Sequence, residues 1–514
     1  MLSQQLRGLV LVLAAAAAGL AVLSSGLRPD TFFVGDPGVK LLSARNALAF
    51  PAHPLNIPLP RIGPDAVPHV EQFFSVHGDH SHAVTSEFFP LASAPFLRTF
   101  GVRGLYVLPA LGFILTLASV AWLGWTLDPR RNMALIAGTA ALGTPFLFYG
   151  LEFWEHMPAA GLVTCGAALL LDAARRRPGR HSAVLPTLAA GALFGAATTL
   201  RAEAACFVVA LVAGSRLLVH RPSWQSLAVA GAGMLVALLP LEVYTVLHFG
   251  TWVPGHVGTN AGLIGEHWTA ERLAFAREWL MPSRWNSRGP LNAASFWSVA
   301  PAAVVAVAGL LRDSDRHERP FLLVAAAGTV LLTLLIAPND GGGQWAPRYL
   351  LAAYVPLVLL AADTLQELPH HATVILLIVV LIAAGVWVQR SAYRTLRGTK
   401  ATYGRLADAV ARLSSPGLPV VSDAWWLDQL AAAPLEHRNV LFAASDADGQ
   451  DIVRRFSSLT TPSVTVVRSR DDSPAAAPWT TGTCYFIEEK EDVDVRRVVV
   501  YRLRHRCGHS EPNR

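Results

Sequence analysis

Long apolar runs, recurring along most of the chain and broken by short Arg-bearing turns, constrain this sequence more than any other feature. A backbone in hydrocarbon has to satisfy its own hydrogen bonds, so such a run crosses a bilayer as a helix of about 20 residues. Candidate spans fall at roughly Gly8–Leu27, Leu105–Leu127, Ala134–Tyr149, Met157–Ala173, Leu185–Leu200, Ala204–Leu218, Leu227–Val246, Phe296–Leu311, Phe321–Ala337, Tyr349–Ala362 and Thr373–Val388, about eleven in all. Composition agrees: only 15% of the 514 residues are charged, against about 25% in an average soluble domain. An ordinary water-soluble enzyme is excluded. The net charge of +6 sits in Arg clusters between apolar runs, which suits membrane sidedness and speaks against a nucleic-acid partner. The first run follows Arg7 and ends in Ser24-Ser25-Gly26, so a cleaved signal peptide competes with an uncleaved span, the preferred reading.

Short cytoplasmic loops accumulate Lys and Arg. Arg130 and Arg131, the run Arg175–Arg180, Arg216 with Arg221, and Arg312 with Arg316 and Arg319 share one side if Leu185–Leu218 crosses twice. One helix over that segment would be about 50 Å long, well beyond the roughly 30 Å of hydrocarbon. Arg390, Arg394, Arg397 and Lys400 after the last span, facing Asp363 and Glu367 before it, vote instead for a cytoplasmic C-terminus.

From about Ser391 the chain turns polar, with β-branched runs (Val420-Val421, Ser463–Val467, Cys484–Ile487, Val498–Leu503) and helical stretches such as Asp451–Leu459. This predicts a small α/β domain over 389–514, following a membrane module over 1–388 whose first external loop covers 28–104. Cys484 and Cys507 are the only cysteines in the tail, and a disulfide between them would need an oxidising compartment, favouring an extracytoplasmic tail. Two unpaired thiols are the alternative. Cys165 and Cys206 fall within spans as packing residues.

Ionisable residues at a membrane rim are costly, and on this topology four groups of them face outward. Gly35-Asp36-Pro37-Gly38-Val39-Lys40 offers a carboxylate able to take a proton from a hydroxyl and a cation for an anionic group; a Gly/Pro turn with solvated charges is the plainer reading. In Glu152-Phe153-Trp154-Glu155-His156, one helical turn would make Glu152 and His156 i,i+4 neighbours, half of a metal site or an acid/His relay, unless the acids simply favour a helix N-terminus. Arg201-Ala202-Glu203 stands at the joint of two short spans, where residues two apart on a helix would not face one another, and a salt bridge to other loops is the structural alternative. In Gly341-Gly342-Gly343-Gln344-Trp345-Ala346-Pro347-Arg348-Tyr349, glycines admit an anion to backbone N–H groups and Arg348 can grip a phosphate; an interfacial anchor is the alternative. His77-Gly78-Asp79-His80-Ser81-His82 lacks closed zinc spacing and Asp446-Ala447-Asp448-Gly449 lacks the remaining calcium ligands. No P-loop or dinucleotide fingerprint appears.

An acid just after the first span (Asp36), a large first loop ending in Glu87-Phe88-Phe89-Pro90 and Ala94-Pro95, an acid/His pair (Glu155, His156), an R-x-E (Arg201, Glu203) and the G-x-W-x-P-R-Y of Gly343–Tyr349 occur in that order. Over roughly the first 360 residues the chain thereby resembles the C-type glycosyltransferase superfamily, polytopic enzymes that use polyprenyl-phosphate-linked sugars. Gly-Asp-Pro-Gly replaces the doubled acid of better-known branches, which leaves the sugar and the acceptor (glycan, lipid or protein) open. The resemblance implies a polytopic α-helical membrane protein, with its site on the extracytoplasmic side of a bacterial plasma membrane. It implies an inverting hexosyl- or pentosyltransferase in which Asp36 deprotonates an acceptor hydroxyl while Arg348, Arg201 and Lys40 receive the lipid phosphate. Glu155, His156, Glu203 and Trp345 would position substrate or hold a divalent ion; some members of the family use a metal and others do not. No other cofactor is implied.

Two other classes were weighed. A transporter or flippase for a lipid-linked or small solute should carry midplane charges and an internal repeat, and neither is visible in the sequence. A membrane scaffold with a sensing tail would be indifferent to loss of the Asp36 carboxylate.

Overall fold

The apolar runs become helices, and two of them begin where the sequence supplies a local reason. Asn132 accepts from the N–H groups of Ala134 and Leu135 and so starts the helix Met133–Gly143, while Pro301 opens the helix Pro301–Leu310 from its first turn. The computed structural model describes residues 2–66, 73–175, 183–249, 252, 268–281, 295–311, 316–339, 341, 344–367, 372–430, 432–435, 439–470, 477–494 and 497–506. Among them, six helical segments are long and apolar enough to cross a membrane: Leu2–Ser25, Phe88–Leu127, His156–Arg175, Trp224–Leu247, Arg319–Ile336 and Arg348–Gln366. Met133–Gly143, Val184–Leu200, Ala204–Ser215 and Pro301–Leu310 are apolar but shorter. The run expected at Thr373–Val388 is the first part of a single helix, Ala372–Leu413, that continues into the tail.

The chain forms two compact units, and their division differs from that expected of the sequence. One unit is Met1–Gly26 with Tyr106–Thr395; the other joins the first loop, Leu27–Leu105, to the tail, Leu396–Arg514.

In the first unit, small residues let helices approach closely. Gly191 and Gly195 of Val184–Leu200 lie against Ala230 and Met234 of the helix Trp224–Phe249, too tightly for a β-carbon. The arginines read as cytoplasmic markers are partly internal. Arg131 is fully buried and holds Asp363, equally buried, through two hydrogen bonds of 2.8 Å. Arg316 binds Asp128 at 2.7 Å and Glu367 at 3.0 Å, and Asp128 also holds Arg130. Asp363 and Glu367 are therefore the partners of two of those arginines.

The second unit contains a five-stranded sheet ordered Asn439–Phe442, Pro419–Ser422, Ser463–Ser469, Val498–His505, Tyr485–Val493. The first three strands are parallel and the last two run antiparallel to their neighbours. Val464, Val466, Val499, Leu503 and Phe456 fill one side of it, and Val420, Val467, Val498 and Val500 meet the apolar face of the long helix at Leu406, Val410 and Leu413 on the other. The α/β reading of the tail is met. The first loop is bound to this domain: Arg28 reaches Asp408 at 2.6 Å and 2.7 Å, Arg45 donates to Ala432 O, Arg455 pairs with Asp65, and Phe73 stacks on Trp425. Lys400 is buried, donating from Nζ to Thr31 O at 2.8 Å. Its charge serves the interior of this unit and carries no vote on sidedness. Cys484 is disulfide-bonded, whereas Cys165 and Cys206 are free thiols; Cys507 lies outside the described residues.

Candidate active site

The four polar groups singled out in the sequence divide between the units. Within the first unit, Glu155, His156, Arg201, Glu203, Trp345 and Arg348 form one cluster. The chain turns irregularly after the short helix Phe146–Gly150 and begins the helix His156–Arg175 only at His156, with Ala159 N–H donating to Glu155 O. Glu152 and His156 are thus not on one helical turn, and the expected i,i+4 pair does not form. The aromatic residues of this turn explain the break: Tyr149, Trp154 and His156 pack face to face or tilted at 5.3–5.4 Å, and all three are buried.

At the joint of the two short helices, Arg201 leaves the helix with φ −148° and Glu203 starts the next one. Extended backbone turns residues two apart toward one another, so the pair that a continuous helix forbids is made. Arg201 Nη2 lies 2.6 Å from Glu203 Oε1, and Nη1 lies 3.1 Å from Glu155 Oε1. Burial works against its charge, but Glu203 and Glu155 outweigh it and hold the Arg201 guanidinium above its ordinary pKa.

The third strand of the site is the segment before the helix Tyr354–Gln366. Gln344 Oε1 accepts from Arg348 N–H at 2.8 Å, Tyr149 Oη donates to Ala346 O at 2.7 Å, and Trp345 stacks on Phe148. Trp345 is an internal prop, 5% exposed, rather than a headgroup anchor. Arg348 is carried over the faces of Trp154 and Tyr349 at 5.6 Å and 5.5 Å, and Arg201 over the same Tyr349 at 5.2 Å. These rings are cation–π partners of both guanidinium groups, and Glu155 and Glu203 in addition counter the charge of Arg201. Tyr349 is fixed by its own hydroxyl, which donates to Asn339 Oδ1 at 3.0 Å.

A small, half-open pocket lies here, lined by His156, Arg201, Glu203, Arg348 and Tyr349 together with apolar residues that include Ala160 and Val163. Two guanidinium groups above an apolar wall suit an anionic head on an apolar tail. Of the aromatic props, Trp154 and Tyr349 belong to motifs quoted from the sequence without a role of their own, and Tyr149 lies three residues before the first of these motifs.

A metal is a poorer fit. Glu155 and Glu203 both bind Arg201, and among the described residues no group of three or more His, Cys, Asp and Glu side chains could hold an ion. In the second unit, the histidine-rich stretch forms a hairpin in which Asp79 pairs with His80 at 3.0 Å. The Asp446–Gly449 turn is a helix start capped by Ser445.

Asp36 and Lys40 belong to the second unit. Pro37 lies in the first turn of the helix Asp36–Ala49, where a missing N–H is harmless and a carboxylate is favoured by the dipole. Lys40, 1% exposed, lies one turn on with its ammonium 6.0 Å from the centre of the Phe89 ring. Asp36 is half-buried.

No family model matches the chain, and no curated protein sequence matches it. Solved structures do. ArnT from Cupriavidus metallidurans bound to undecaprenyl phosphate aligns over 96% of this chain and 97% of its own, with TM-score 0.60 at 15% identity. Its apo state aligns over 96% and 98%, with TM-score 0.60 at 14% identity. The Archaeoglobus fulgidus oligosaccharyltransferase in the apo form aligns over 89% of this chain and 69% of its own, with TM-score 0.53 at 14% identity. The chain shares the fold of these proteins.

Proposed function

We propose that this chain, which carries the C-type glycosyltransferase fold, transfers a sugar from a polyprenyl-phosphate donor to an acceptor hydroxyl with inversion, at the extracytoplasmic face of a bacterial plasma membrane. The observation that carries this reading is the pair of guanidinium groups, Arg201 and Arg348, sharing Tyr349 at a pocket lined in part by apolar residues. A solved structural neighbour binding undecaprenyl phosphate supports the same ligand chemistry.

The roles follow from what charge develops where. As the acceptor oxygen forms its bond to the anomeric carbon, the bond from that carbon to the lipid phosphate breaks, and a phosphate dianion leaves. Preorganised cations at the leaving oxygens lower that barrier more than any other single device. Arg348 supplies one; Arg201, held in place by Glu155 and Glu203, which counter its charge, adds preplaced N–H donors. The acceptor proton goes to the Asp36 carboxylate, with Lys40 as a third cation. His156 lines the pocket where the sugar would lie, and Trp345 supports the segment that carries Arg348 by stacking on Phe148.

The test is transfer of label from radiolabelled polyprenyl-phosphate sugars in membranes bearing wild type or Asp36→Asn. Wild type transfers from at least one donor and the variant falls to background. Transfer from no donor, or equal transfer by both, overturns the reading.

A further inference from the structure

We infer that Gln429, in the tail, is the positioning residue for Asp36. The inference rests on the reading of Asp36 as the base, and it assigns the tail a part in catalysis that binding an acceptor does not require. Asp36 is bracketed by Gly35 and Gly38, and both glycines have the same neighbour. A β-carbon on Gly35 would strike Gln429 Oε1, and one on Gly38 would strike the Gln429 backbone carbonyl. Neither glycine is there for a left-handed backbone: Gly35 has φ −67°, ordinary for any residue, and Gly38 has no positive φ. The two glycines are required by close approach of the short helix Leu427–Leu430, which clamps the turn from which the Asp36 side chain projects.

The Gln429 side chain is fully buried, and its own hydrogen bonding does not account for its being there. Among the described residues, Nε2 reaches Trp425 O at 3.4 Å and Oε1 is buried with no hydrogen-bond partner. A buried carbonyl oxygen in that state is unfavourable for stability. What the carboxamide does is occupy the space beside Gly35, so that the first turn of the helix Asp36–Ala49 has one resting place. Proton transfer depends steeply on such placement: displacement by about 1 Å is enough to lose roughly a hundredfold in rate.

The two contacts differ in kind, and that difference supplies the test. The obstacle at Gly35 is the far end of a side chain; an alanine at 429 would leave only its Cβ, 3.4 Å from the new methyl, an ordinary contact. The obstacle at Gly38 is backbone, which no substitution at 429 removes. We expect Gly35→Ala to lower kcat roughly tenfold to a hundredfold with KM for the lipid donor unchanged. Gln429→Ala alone, which leaves a void, should lower kcat about tenfold. Gly35→Ala combined with Gln429→Ala should return kcat to within about threefold of wild type, because the new methyl occupies the vacated space. Gly38→Ala should stay inactive in either background. Each variant is checked for unchanged yield and melting in detergent, and Gln429→Ala introduces no clash and keeps the test open if Gly35→Ala does not fold. The inference is overturned if Gly35→Ala and Gln429→Ala are both as active as wild type, if their effects add, or if only KM moves. Should Asp36→Asn retain full transfer, the reading of Asp36 fails; Asp36→Asn inactive with no rescue in the double variant fails the assignment of Gln429 alone.

Discussion

Loss of the Asp363 carboxylate should destabilise the first unit severely, and loss of both Asp363 and its partner should not. Arg131 and Asp363 are each 0% exposed and are joined by two 2.8 Å hydrogen bonds, with Arg316 a further 3.5 Å from Asp363. In Asp363→Ala the buried Arg131 guanidinium keeps only a 3.4 Å bond to Gly124 O. Breaking a buried pair from one side costs about 3–5 kcal/mol, because the remaining charge is stranded. At about 2–4 °C per kcal/mol for a large domain, the melting temperature should fall by roughly 6–20 °C, nearer the lower figure for a unit of this size. Arg131→Met combined with Asp363→Leu removes both charges and keeps apolar bulk, and replacing a pair in this way is often neutral or stabilising. The assay is thermal unfolding of purified protein in detergent, followed by tryptophan fluorescence. Melting of Asp363→Ala within about 2 °C of wild type, or a double variant as unstable as the single one, would refute the reasoning.

Arg348→Ala should lower kcat by about a hundredfold to a thousandfold, the usual loss of a group that stabilises a leaving charge, measured by transfer of labelled sugar; an effect confined to KM would place Arg348 in ground-state binding only. Glu155→Gln and Glu203→Gln should each weaken transfer less than loss of the Arg201 guanidinium itself, since each leaves Arg201 one carboxylate; a larger effect than Arg201→Ala would mean that the acids contact substrate directly. Asp408 is held below the ordinary carboxylate pKa by its hydrogen bonds from Arg28. The stability it contributes is therefore fully present above the ordinary value near 4 and is lost as pH falls through the lower folded value. Asp408→Asn should melt earlier than wild type at pH 7, with the gap narrowing as pH falls below about 4, and a gap that does not narrow contradicts the linkage. Unreduced, denatured protein should present two reactive thiols, Cys165 and Cys206, to a maleimide probe; four would remove the disulfide at Cys484.

Much of the helical layout was legible because an apolar run long enough to cross has few other structures open to it. The helices Val184–Leu200 and Ala204–Ser215 fall where length alone split the run. The break between them, however, changed the meaning of Arg201 and Glu203: a rule for continuous helices set them apart, and the extended backbone at Arg201 brought them together. Glu152 and His156 failed in the opposite sense, because aromatic packing around Tyr149 and Trp154 delayed the helix until His156. Arg131 and Arg316 were read for their sign alone, and nothing local announces that Asp363, 232 residues away in sequence from Arg131, neutralises one of them. The partition of the first loop with the tail was equally out of reach, since it depends on pairings such as Arg28 with Asp408 that no local pattern encodes. Gln429 had no motif around it; only the two glycines beside Asp36 hinted that something approaches closely.

The unit that carries Asp36 is assembled from two stretches translated far apart in time. Arg28 and Asp408 are separated by 380 residues and Asp65 and Arg455 by 390. At about 5–20 residues per second, the early stretch waits roughly 20–80 s for its other half. During that interval the Asp36 helix already has neighbours from its own stretch, Val39 lying with Ile57 and Phe74, but it lacks the short helix Leu427–Leu430 that closes on Gly35 and Gly38. A ribosome that stops before the last strands would release a chain with its guanidinium pocket complete and its base unseated.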